Sequence, residues 1–132
     1  MSYLLDTSVL IEIENDNPVI ISQINALKDA PYAELAIPIF TFCEFYYGAI
    51  NKSDKNRGKV LERLSLYRLI NTSQRSGIIF CDLVHYLKNK GKPLPHFDVF
   101  IAAVAIEQGL TLIAMDEHFK ELPHLKTVLL RH

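Results

Sequence analysis

Five short apolar runs alternate along this chain with longer stretches of helical period, and that alternation leaves few folds open. Tyr3-Leu4-Leu5 is the first run, closed by Asp6. Thr7-Ser8 then offers an N-cap before Val9, Leu10 and Ile13, which recur at helical spacing. Asn15-Asp16-Asn17-Pro18 breaks the pattern, and Pro18 can open a second helix running to Leu27. Glu34 to Ile37 reads as the second strand, stopped by Pro38, and Ile39 to Asn51 is apolar and aromatic over a length that favours helix. A basic stretch from Lys52 to Arg68 carries Val60, Leu61 and Leu64 as an apolar stripe, and Arg68-Leu69-Ile70 is a short third strand. Helices follow from Ser76 to Lys90 and from Phe97 to Gln108, ended by Gly91 and Gly109, with Pro93 and Pro95 holding the chain extended between them. Thr111 to Ala114 and Thr127 to Leu130 are the last strands, separated by a helical turn around Phe119. The expectation is an α/β fold, a three-layer sandwich whose mostly parallel central sheet of four to five strands is flanked by helices. One domain spans residues 1–132.

Composition narrows the class further. At 132 residues and 49% hydrophobic content there is enough apolar matter for one core, and too much for a disordered chain. A net charge of -1 neither demands a nucleic-acid partner nor excludes one, because phosphate binding depends on local charge. Apolar runs fall short of the roughly 18 residues that a membrane span needs. The opening Met1-Ser2-Tyr3-Leu4-Leu5-Asp6 lacks the basic region of a secretory signal, so the cytoplasm is the expected compartment. Cys43 and Cys81 lie in apolar helical patterns and read as reduced, buried thiols.

Four of the fifteen acids fall where chemistry would want them. Asp6 ends the first strand and Asp116 follows the fourth, so both belong at the carboxyl ends of strands, where open α/β sheets collect their ligands. Asp98 opens a helix, a position that the helix dipole alone also favours. Glu44 sits among Phe40, Thr41, Tyr47 and Gly48 at helical spacing, an apolar setting in which a carboxylate costs several kcal/mol unless paired or bound to a cation. Grouped carboxylates repel, and some take up protons unless a hard ion such as Mg2+ or Mn2+ holds them ionised. Such an ion would lower the pKa of a water and neutralise a scissile phosphate.

These segments resemble a known family, the PIN-domain ribonucleases, and within it the VapC-type toxins of toxin–antitoxin pairs. Leu4-Leu5-Asp6-Thr7-Ser8-Val9-Leu10-Ile11 is similar to the family's opening strand and first acid. Ala36-Ile37-Pro38 followed by Glu44-Phe45-Tyr46-Tyr47-Gly48 resembles its second strand and its Glu-x-x-x-Gly helix. Asp98 with Ile101-Ala102-Ala103, and Asp116 with Phe119, resemble its third and last acids. The four motifs keep the family's order and cover nearly the whole chain. The resemblance implies a PIN-like sandwich and Mg2+- or Mn2+-dependent cleavage of RNA by Asp6, Glu44, Asp98 and Asp116, which would be both catalytic and metal-holding. It also implies a homodimer and a small VapB-like antitoxin as cognate partner.

Thr7 and Ser8 are expected to support Asp6 and its metal from behind. Lys52, Lys55, Arg57 and Lys59, with Arg63 and Arg68 further on, could carry RNA phosphates past the acids. His96 and His118 each lie two residues from an acid, where a catalytic histidine and a group of the active-site rim are both open readings, with no triad partner in view. Tyr46 and Tyr47 read as core or dimer-face residues. The family commonly has Thr or Ser two residues before the last acid, where this chain has Ala114. That departure motivates an alternative, a catalytically impaired PIN-like scaffold that binds RNA or a partner protein. A phosphotransferase with Asp6 as nucleophile would want a second acid close behind it, and Asp6-Thr7-Ser8 supplies none.

Overall fold

The five apolar runs pair side by side. The computed structural model describes residues 2–27, 35–50 and 54–132. Strands β1 (Tyr3–Leu5), β2 (Leu35–Pro38), β3 (Arg68–Ile70), β4 (Thr111–Ala114) and β5 (Thr127–Leu129) form one sheet in the order β3-β2-β1-β4-β5. Every pairing is parallel. Parallel neighbours need crossovers, and helices supply them: α1 (Thr7–Glu14), α2 (Pro18–Leu27), α3 (Ile39–Ile50), α4 (Asp54–Leu64), α5 (Gln74–Asn89) and α6 (His96–Gln108), with a 3-10 turn at Glu117–Glu121.

Strand alternation divides the core into two. Leu4, Ala36, Leu112 and Ala114 face the layer built from α5, α6 and Phe119. Tyr3, Leu5, Leu35, Ile37 and Ile113 face the opposite layer, with Val9 and Leu10 of α1, Ile20 and Ile24 of α2, and Leu64 of α4. With both faces covered, β1, β2 and β4 are buried at every position, and apolar at all of them but Thr111. Helix α6 is the most enclosed: Val99 and the run Ile101–Ala105 are fully buried, as expected of a helix apolar on all sides.

Several local expectations shift in detail. Pro38 was expected to stop the second strand but is its last residue, paired with Ile70, at a strand end where a missing N–H does least harm. Helix α1 starts one residue earlier than a Thr7-Ser8 cap implies, because Asp6 itself holds the N-cap position. Helix α5 begins at Gln74 because Ser73 forms a capping box with Ser76, and the Ser73 hydroxyl also reaches Glu107 on α6. At its other end Gly91 takes φ +68 while the N–H groups of Gly91 and Lys92 reach back to Lys88 and Leu87, satisfying carbonyls that the helix leaves open.

Both cysteines are free, but they are exposed rather than buried. Their helices present more apolar surface to solvent than the pattern implied: of α3 only Thr41 and Ala49 are buried, and Tyr47 is 70% exposed. Tyr46 is half-buried and stacks on Phe42.

Away from the sheet, the Glu14 carboxylate at the end of α1 accepts from the Arg63 guanidinium (2.9 and 3.4 Å) and from the Tyr67 hydroxyl (2.7 Å). Its side chain is only 7% exposed, and the trio fastens α4 to α1.

The Ser73 cap provides a test of this local reading. Ser73→Ala should cost about 1 kcal/mol, the usual value of an N-cap hydroxyl, seen as a lower urea midpoint at unchanged slope. An unmoved midpoint would mean that α5 does not depend on its cap.

Candidate active site

Parallel pairing decides where the four acids go. Leu5 of β1 is in register with Ile113 of β4, so Asp6 and Asp116 leave adjacent strands at the same carboxyl edge of the sheet. Helix α6 leads into β4, which puts its first turn, with Asp98, at that edge too. Glu44 lies in the second turn of α3, which follows β2 directly. The charges of Asp6, Glu44 and Asp116 all act on Asp98, so the four form one electrostatic neighbourhood.

Asp6 is buried, at 6% exposure. Burial raises its pKa above the usual carboxylate value, outweighing the Ser8 hydroxyl (2.8 Å to Oδ2), the nearby N–H groups of Thr7 and Ser8, and the pull of His118. Asp98 is half-buried, and its pKa is raised as well. Burial is the largest cause and the negative charge of Asp6 the next; His118 opposes both, while Glu44 and Asp116 add to them.

Glu44 is exposed, which corrects the expectation of an apolar setting. Hydrogen bonding, not burial, fixes it: the Thr7 hydroxyl donates to Glu44 Oε1 at 2.7 Å and lies 3.0 Å from the Thr41 hydroxyl. Thr41 is fully buried. Thr7 was expected behind Asp6; it ties α1 to Glu44 instead, and Ser8 holds the Asp6 carboxylate by a side-chain bond. Thr41 was missed as a functional residue. Its position three residues before Glu44, on the same helix face, was the available signal.

His118 is the other residue that the sequence undervalued. Its ring lies between two acids, with Nδ1 3.0 Å from Asp116 Oδ2 and Nε2 3.2 Å from Asp98 Oδ2. The 3-10 turn after Asp116 brings position 118 back onto position 116, and the Asp116 side chain accepts the His118 N–H at 3.0 Å. His96 is exposed and packs edge-on against Phe80 at 5.5 Å. Ala114 is fully buried in the layer facing α6.

Beside the acids runs a groove of about 630 Å³ between α1, α3 and α4, whose lining includes Glu44, Phe45, Lys59 and Arg63. Of the expected basic residues, Lys59 is exposed on this groove and Arg57 is half-buried. Arg63 is engaged by Glu14, and Arg68 is exposed on β3. Lys52 and the side chain of Lys55 lie outside the described residues. Among the described residues no three of the His, Cys, Asp or Glu side chains already close on one point at ligand distances.

Comparison with known proteins places this geometry in a family. The PIN-domain model matches residues 3–125. A protein named ribonuclease VapC2 from Rickettsia felis is 30% identical over 129 residues, 95% of each chain. Among solved structures, VapBC2 of Rickettsia felis bound to a promoter DNA fragment superposes with a TM-score of 0.83 at 24% identity, covering 99% of this chain and 100% of that one. A toxin–antitoxin complex from Klebsiella pneumoniae gives 0.77 at 26% identity, with 96% of each chain covered. The fold is that of these proteins, and the chain belongs to the PIN-domain family, among its VapC-type members.

Proposed function

We propose that this chain is a divalent-metal-dependent endoribonuclease, the toxin of a VapBC-type pair whose cognate antitoxin is VapB-like. The observation that carries the metal reading is Asp6, a carboxylate buried at the end of β1 whose charge also raises the pKa of Asp98. Two such groups within reach of each other stay ionised at neutral pH at a cost that a cation removes. The donor set fits Mg2+ or Mn2+: carboxylates of Asp6, Asp98, Glu44 and Asp116, with hydroxyls behind them. His118 stands against two of these acids, 3.0 Å from Asp116 and 3.2 Å from Asp98.

When bound, the ion supplies the positive charge that offsets a phosphodiester and lowers the pKa of the attacking water. The chain does the rest by positioning. Ser8 orients the Asp6 carboxylate, and the Thr41–Thr7 hydroxyl pair orients Glu44 from the neighbouring helix. Lys59 stands on the groove that Glu44 borders, where its charge can meet RNA phosphates approaching an acidic centre. Apolar side chains left exposed on α3, Tyr47 and Ile50, suit protein contacts, consistent with a homodimer and an antitoxin. Among the described residues no helix is long and apolar enough to cross a membrane; an RNA substrate supports a cytoplasmic location. Ala114, buried where the family commonly carries a hydroxyl, favours a second reading in which the scaffold binds RNA or a partner with little turnover.

Two measurements test this reading, the first of which separates it from the scaffold. With Mn2+, Asp6→Asn should lower cleavage of a mixed RNA pool by at least about a hundredfold, the upper end of what losing an outer partner of a metal site costs. Wild-type chain that is thermally stabilised by Mn2+ yet cuts nothing would favour the scaffold. The second outcome concerns stability without metal. The folded pKa of Asp6 is raised, so its contribution is full at low pH and is lost as pH rises through that value. Metal-free Asp6→Asn should therefore melt higher than wild type at neutral pH, the gap closing on acidification. A lower melting point at neutral pH would mean that Asp6 is compensated in some other way.

A further inference from the structure

Four phenylalanines form a row of rings that runs from the interior out to solvent. Phe80 of α5 stacks face to face on Phe100 of α6, with centroids 3.7 Å apart and planes within 7°. Phe100 meets Phe40 of α3 at 4.9 Å, and Phe40 meets Phe97 at 5.2 Å. The first three rings are half-buried, whereas Phe97 is 49% exposed. Helix α6 otherwise hides its apolar residues. His96, Phe97 and Gln108 are its exposed positions, and Phe97 is the one apolar side chain among them.

The place of this ring matters as much as its exposure. Phe97 precedes Asp98 in the first turn of α6, and it leans on Phe40 in the first turn of α3, the helix that carries Glu44. Thr41, beside Phe40, is buried and contacts the Thr7 hydroxyl that binds Glu44. The ring thus rests on both helices that bring these acids to the sheet edge. Consecutive Cα atoms lie about 3.8 Å apart, so a strand whose phosphate meets Asp98 passes within a nucleotide of Phe97. The exposed surface is small. Half of the roughly 150–250 Å² of an aromatic side chain is on the order of 100 Å², against about 800 Å² per partner in a stable protein interface. A nucleobase matches that size, and bases of every identity have a π face to lay on an aromatic ring.

Resting on the ribonuclease reading above, we infer that Phe97 is a specificity-determining residue, the platform on which one unpaired base of the RNA stacks beside the phosphate to be cut. The row of rings behind it holds the platform in place, so little ordering of the protein is needed when the base arrives. Stacking reads no base edge, and Phe97 therefore selects for an accessible base rather than for a particular one. Within a duplex the bases lie stacked on one another, and the ring finds no free face.

The chain has no tryptophan, so Phe97→Trp puts a single indole at the platform. The test uses full chains that also carry Asp6→Asn to slow cleavage, with Mn2+ present. The indole emission should be quenched by a short single-stranded RNA of mixed sequence. An abasic RNA backbone of the same length, or the same RNA annealed as a duplex, should leave it unchanged. Phe97→Leu keeps apolar bulk against Phe40 but has no π face. It should bind the single strand at least about fivefold more weakly than the Asp6→Asn parent, at an unchanged melting temperature and with unchanged affinity for the duplex. Phe97→Tyr should bind as the parent does. Equal quenching by the abasic backbone, or undiminished binding by Phe97→Leu, would overturn the inference and leave the ribonuclease reading standing. So would a changed oligomeric state of Phe97→Leu in light scattering, which would assign the ring to a contact between copies of this chain. A parent chain that binds no RNA of either form would overturn this inference together with the ribonuclease reading beneath it.

Discussion

Everything at the candidate site follows from one desolvated charge. Asp6 stands at the end of the central strand β1, with β2 on one side and β4 on the other, in the middle of a sheet covered on both faces. Hydrophobic packing puts it there: Leu4 and Leu5 are fully buried in opposite layers, and the next residue has to emerge at the sheet edge just as helix α1 begins. A carboxylate in that position resists ionisation, and a second one, Asp98, is close enough to feel its charge. The core therefore spends part of its stability on holding these acids together, an arrangement expected of a functional site and hard to account for as packing.

The two faces of the site are held by different means. On the α1–α3 side, hydroxyls do the work, with buried Thr41 against Thr7 and Thr7 against Glu44. On the α6–β4 side, a histidine ring stands between two carboxylates and is backed by Phe119. The first side is rigid because its anchor lies in the core. The second hangs on a 3-10 turn, tied inward by Phe119 and, at its end, by Leu122.

Much of this was legible in the sequence because it depends on local pattern. Apolar strands, the Pro18 helix start, and the glycine stops at Gly91 and Gly109 are each decided within a few residues, and they appear where expected. That Asp6 and Asp116 leave the sheet at one edge was legible as well, since it needs only that both follow strands of one parallel sheet. What depended on tertiary packing was not. Exposure of Cys43 and Glu44 follows from how α3 is rotated against its neighbours, and an apolar helix with few polar residues to mark its outer face does not encode that rotation. The cross-helix bond from Thr7 to Glu44 spans 37 positions, and no spacing rule reaches so far.

The trio of Glu14, Arg63 and Tyr67 has a consequence for recognition. Because it fixes α4 against α1, the trough beside Glu44 cannot widen or narrow without exposing or stranding a carboxylate whose oxygens are already taken up. An incoming strand or peptide thus meets a preset channel and spends little of its affinity on ordering the receptor, so its own flexibility becomes the main entropic toll.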